Sequence, residues 1–144
     1  MFNQSVDDRL SSWAELRAQL ETCETPLQCV IDFWQSAPYI PYNHHVDPFH
    51  QQSWPTPWEI IVENKYDDFT RALMIAYSLK YTQKFKNSVI ELRTLVDNTK
   101  RKYYNIVCVD DEWVINYNDN APISIKDLPD SFLVENLIEV QATR

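Results

Sequence analysis

The chain contains no glycine in 144 residues, where average usage would supply about ten. Only glycine takes a positive φ at little cost and lets a ligand close against bare backbone, so its absence removes whole classes of site. A phosphate loop, a dinucleotide fingerprint, a nucleophile elbow and an EF-hand calcium loop each need glycine at fixed positions, and all four are excluded. Left-handed turn positions then fall to asparagine and aspartate, which tolerate them best. The candidates are Asn98, Asp110, Asp111, Asn118, Asp119 and Asn120.

The length suits one domain, residues 1–144, with a core that needs neither metal nor disulfide. Hydrophobic residues at 44% against 24% charged give the balance of a chain that folds nearly throughout. No apolar run approaches the roughly 18 residues of a membrane span. Asp7 and Asp8 stand where a signal peptide would be basic and then apolar, so the expectation is a cytoplasmic protein with no membrane partner. Cys23, Cys29 and Cys108 are odd in number and lack CxxC spacing. They are expected to be reduced thiols in or near the core, in a reducing compartment. A formal charge of −8 argues against direct nucleic-acid binding, which needs a basic face. The short basic run at residues 100–102 reads as a solvated turn.

Helix signals come first along the chain. Ser12-Trp13-Ala14-Glu15 has the form of a capping box and predicts a helix to about Cys23. Thr25-Pro26 predicts a second, with Leu27, Val30, Ile31 and Trp34 at helical spacing, ending near Ser36. Residues 37–57 hold five of the eight prolines and all three histidines, so this stretch is expected to wrap the core without regular ladders. Thr56-Pro57-Trp58-Glu59 repeats the capping box and starts a short helix to about Val62. Residues 66–80 are apolar nearly all round, which marks a central buried helix. After Lys86 the period becomes two over residues 89–96, 103–109, 113–118 and 132–140, with a helical turn near residues 125–128. The fold class expected is α+β: helices first, then an antiparallel meander against one buried helix.

Three groups of residues are candidates for chemistry or binding. His44, His45, Asp47 and His50 bring imidazoles beside a carboxylate, a donor set for zinc or iron; the plainer reading is a polar surface loop with no cofactor. Trp54, Trp58, Tyr39, Tyr42 and Phe49 offer flat rings for stacking; the plainer reading is side chains covering the core. Asp67 and Asp68 open the buried helix, where carboxylates cap free N–H groups. As neighbours on a helix they point about 100° apart and would not share one proton as a dyad.

The run Tyr66-Asp67-Asp68-Phe69-Thr70-Arg71-Ala72-Leu73, with residues 104–118 after it, resembles the core of transglutaminase-like cysteine proteinases. The resemblance implies a papain-like helix and sheet with a Cys opening the helix, a His on a following strand and an Asp after a Trp-containing strand. Tyr66 stands where that Cys would be, Tyr104 about where the His would be, and Asn116 or Asn118 near the acid. Cysteine hydrolysis requires a thiolate beside an imidazole, so the resemblance implies a degenerate core without its triad. Trp54-Pro55-Thr56-Pro57-Trp58-Glu59, with Tyr66-Asp67-Asp68 and Tyr77-Ser78-Leu79-Lys80-Tyr81-Thr82, resembles a family of small proteins of T-even-like tailed bacteriophages. That family carries no established activity, and the resemblance implies expression in an infected bacterium. The function expected is a non-catalytic phage accessory protein that binds a host or phage protein. The alternatives are a metal-dependent protein using the histidine cluster, or a minor virion component.

Overall fold

The computed structural model describes residues 1–118 and 120–142. Among them, four α-helices precede five strands: α1 Val6–Thr22, α2 Pro26–Trp34, α3 Pro57–Glu63, α4 Asp68–Lys80, then β1 Ile90–Asp97, β2 Lys102–Val109, β3 Trp113–Ile115, β4 Ile123–Ser124 and β5 Leu133–Glu139. All strand pairs are antiparallel, in the order β4-β3-β2-β1-β5. This is an α+β fold. The meander runs from β1 to β4, and β5 then crosses back to pair with β1, a departure from a simple meander.

Local chemistry explains most helix ends. At α3 the Thr56 side chain accepts from Glu59 N–H while the Glu59 carboxylate accepts from Thr56 N–H, with Pro57 in the first turn. The helix stops at Asn64, left-handed at φ 59°. Asp67 caps α4 by accepting from the Thr70 amide and hydroxyl at 2.7 and 2.6 Å. The start of α1 corrects the sequence reading. Its cap is Ser5, which accepts from Asp8 N–H, and Ser12 lies inside the helix with its hydroxyl on Gln4. Arg9, Trp13, Leu16 and Leu20 form one buried stripe, so the periodicity begins with a charged residue. Arg9 is satisfied there because its guanidinium donates to the Ile61 and Val62 carbonyls near the end of α3 and to Gln4.

Helix α4 is buried along nearly its whole length and packs on the sheet. Ile90 and Leu92 of β1, Val107 and Val109 of β2 and Ile115 of β3 face it. Leu95, Ile106, Cys108 and Val114 face the other way, into a second apolar cluster closed by Tyr104, Tyr117, Ile123, Ile125, Leu128 and Phe132. The link after β3, with a 3-10 turn at Ile125–Asp127, supplies that cover. Buried on both faces, β2 reads as a continuous apolar run over residues 106–109.

Positive φ occurs at Asn64, Arg101, Asp110, Asp111 and Asn116. Asp110 and Asp111 were expected; Asn98 and Asn118 do not take it, and Asp119, on which the φ of Asn120 depends, lies outside the described residues. Arg101 in the β1–β2 turn takes φ 51° although it has neither glycine's freedom nor a short polar side chain. The cysteines also differ from expectation. Cys23 at the end of α1 and Cys29 in α2 bring their sulphurs into bonding contact, as a disulfide, with Cα atoms 7.5 Å apart. The sharp corner between α1 and α2 returns the chain on itself within six residues. Only Cys108 is free, and it is buried.

Candidate functional site

The N-terminus of α4 meets the sheet through polar side chains. The Asp68 carboxylate accepts from Asn105 Nδ2 on β2 at 3.0 Å and from Asn116 Nδ2, just past β3, at 3.4 Å. Arg71 Nη2 lies 3.7 Å from the same carboxylate. Asn116 Nδ2 also donates to the Asn105 carbonyl at 2.8 Å, and Thr94 Oγ1 donates to Asn105 Oδ1 at 3.0 Å. The group joins one helix to three successive strands. Its members comprise a carboxylate held by amides and a guanidinium, with no thiol and no imidazole.

Of the residues singled out from the resemblance, Asn116 belongs to this group, while Tyr66, Tyr104 and Asn118 lie elsewhere. Tyr66 precedes the helix cap and points into the core against Trp34 and Phe2. Its buried hydroxyl has no hydrogen-bond partner, and burial drives the phenol well above its ordinary pKa, against the opposing charge of Arg9. Tyr104 lies on the sheet face away from α4, stacked on Phe132. Asn118 lines a small cleft with Trp34, Gln35, Arg71 and Asn116. Alternation on a strand places neighbours on opposite faces, so Asn105, one residue after Tyr104, is the one that reaches the helix. The overlooked signal was an asparagine on the helix-facing side of a strand otherwise rich in valine and isoleucine.

Residues 37–57 do wrap the core. Val46 is fully buried, Ile40 N–H donates to the Tyr66 carbonyl, and Tyr66 N–H donates to Pro38. Asn43 N–H donates to the second oxygen of the capping Asp67. Its histidines are divided. His50 Nδ1 contacts Asp47 at 3.0 Å, while His45 Nε2 lies 3.7 Å from Glu63 and His44 packs beside His45. The Phe49 amide, and secondarily His50, hold the Asp47 carboxyl below its usual pKa. Among the described residues, no three His, Cys, Asp or Glu side chains gather as a metal-holding group.

The aromatic candidates divide as well. Trp54 and Trp58 are half-buried: Trp54 packs on Phe69 and donates Nε1 to the Asp47 carbonyl, and Trp58 sits between Trp13 and Tyr81. Tyr39, Tyr42 and Phe49 are exposed, contrary to a purely core-covering role. Between the wrap and α3 runs an open groove of about 700 Å³, lined by Trp54, Pro55, Trp58 and Val62 together with His45, Ser53, Glu59 and Glu63. The i, i+4 spacing of Glu59 and Glu63 places both carboxylates on one side of α3. No family model matches this chain, and no curated protein matches it. Among the described residues no helix is long and apolar enough to cross a membrane.

Proposed function

We propose that this chain is a non-catalytic accessory protein that acts by binding another protein, in keeping with the resemblance to small proteins made in phage-infected bacteria. The observation that carries the reading is the open groove that Trp54, Pro55, Trp58 and Val62 line together with Glu59 and Glu63. Indole surface supplies contact area at low entropic cost, and carboxylates among the lining residues attract lysine or arginine from a partner. A net charge of −8 favours encounter with a basic surface over the same range. The polar group on Asp68 supports the same reading, because it occupies the helix N-terminus with hydrogen-bonded amides in place of a nucleophile and its base.

The test is capture of protein from bacterial lysate by tagged chain, with metal content read on the same sample. One stoichiometric partner is expected, lost in a Val62→Asp, Glu63→Lys double variant of two residues that line the groove. Near-stoichiometric zinc or iron that disappears with His45→Ala or His50→Ala would overturn the reading and make the histidine loop the functional site.

A further inference from the structure

Strand β5 borders β1 and, among the described residues, has no strand on its other side. Val140 N–H donates to the Ile90 carbonyl at 2.8 Å, and the register pairs Ile138 with Leu92 and Asn136 with Thr94. Hydrogen-bonding direction alternates along an antiparallel strand, so the backbone groups of Leu137 and Glu139 point away from the sheet. This edge is also apolar: Leu133, Val134 and Leu137 are 56%, 53% and 48% exposed. An edge with free backbone groups and exposed apolar side chains is a template for one more strand.

Charge selects what can occupy it. Strand β5 carries Glu135 and Glu139 and no cation. The nearest cation on β1, Arg93, is already engaged by Glu91 at 2.6 Å and Asp111 at 3.0 Å. Two copies paired through β5 would set glutamates on adjacent strands of two acidic chains, and opposed like charges destabilise a strand pair. The register shift at Thr94/Leu95 leaves Glu135 as an extra residue in β5, and such a bulge twists an edge away from long, flat self-pairing. We propose that the β5 edge docks an extended, basic segment of a partner protein as a sixth strand. That segment would bring lysine or arginine within reach of Glu135 and Glu139, with the aliphatic stems lying over Val134 and Leu137. The inference rests on the reading that the chain binds a protein, but it uses a surface separate from the tryptophan groove.

A short blocked peptide alternating lysine with valine, and its twin with glutamate for lysine, provide the probes. Amide exchange and chemical shifts of the full chain should show the lysine peptide protecting Leu137 and Glu139, with affinity that weakens as salt rises. Leu137→Pro removes an outward amide and should abolish binding. Glu135→Lys with Glu139→Lys alters only exposed side chains and should weaken it by about tenfold or more. The Val62→Asp, Glu63→Lys groove variant should bind the peptide as the parent does. Equal binding of the glutamate twin, protection outside β5, or a concentration-dependent dimer protected at β5 would each overturn the inference. A chain that captures protein through the groove but ignores the lysine peptide would overturn this inference alone and leave the proposed function standing.

Discussion

Replacing Ser78 with alanine should be among the most damaging single-atom deletions in this protein. Ser78 lies fully buried in α4, and its hydroxyl accepts from Trp13 Nε1 at 2.9 Å and Trp34 Nε1 at 3.0 Å while donating to the Met74 carbonyl at 2.6 Å. A hydroxyl has one donor and two acceptor sites, so its capacity is used in full. The three bonds tie α1 and α2 to the central helix through two indoles that are themselves inaccessible to water. Ser78→Ala strands both indole N–H groups. At about 1–3 kcal/mol for each buried donor left unmade, the loss is about 2–6 kcal/mol, against about 5–15 kcal/mol for the stability of a typical domain. Urea unfolding followed by tryptophan fluorescence and circular dichroism should show a lower midpoint with an unchanged slope. Combining Ser78→Ala with Trp34→Phe should cost clearly less than the sum of the single changes, because the second removes a donor the first has stranded. A Ser78→Ala protein within about 0.5 kcal/mol of the parent, the ordinary range of surface changes, would refute the reasoning.

Three further outcomes follow from the same geometry. Arg101→Gly, at φ 51° in an exposed turn, should raise the melting temperature by relieving a left-handed residue that costs about 1 kcal/mol; thermal unfolding reads this directly, and an unchanged or lower value would contradict it. Burial pushes the Cys108 thiol up from 9.0 to about 11. Its neutral form is the one the fold accommodates, so that contribution is fully present below pH 9 and is lost as pH rises from 9 to 11. The stability difference between the parent and Cys108→Ala should shift against the parent across that window, and parallel pH profiles would contradict it. Asp68→Cys with Asn105→His sets a thiol at a helix N-terminus beside an imidazole. Its alkylation rate should titrate well below the ordinary thiol pKa of about 8.5, and a profile centred at or above that value would show that the geometry does not activate a nucleophile.

The legible part of this structure was short-range. Thr56, Pro57 and Glu59 state the start of α3 within four consecutive residues, and Asp67 marks the start of α4, because capping concerns backbone groups a few bonds away. Apolar residues all round α4 announced a buried helix before any partner was known. Alternation over residues 89–96 and 103–109 announced β1 and β2, and the missing glycine ruled out phosphate and nucleotide loops outright.

What the tertiary structure alone decided depends on registers and crossings between distant parts of the chain. Whether Tyr104 or Asn105 faces α4 is a question of strand parity, and the sheet answers it by burying Ile106 and Cys108 on one face and Val107 and Val109 on the other. Arg9 inside the helical stripe is tolerable only because the end of α3 presents two carbonyls to it. Ser78 became a keystone only when two indoles from separate helices converged on it. The return of β5 to the edge beside β1, which leaves its acidic side open, has no local signal, since a strand's neighbour is chosen by the apolar faces it can bury and not by its own residues.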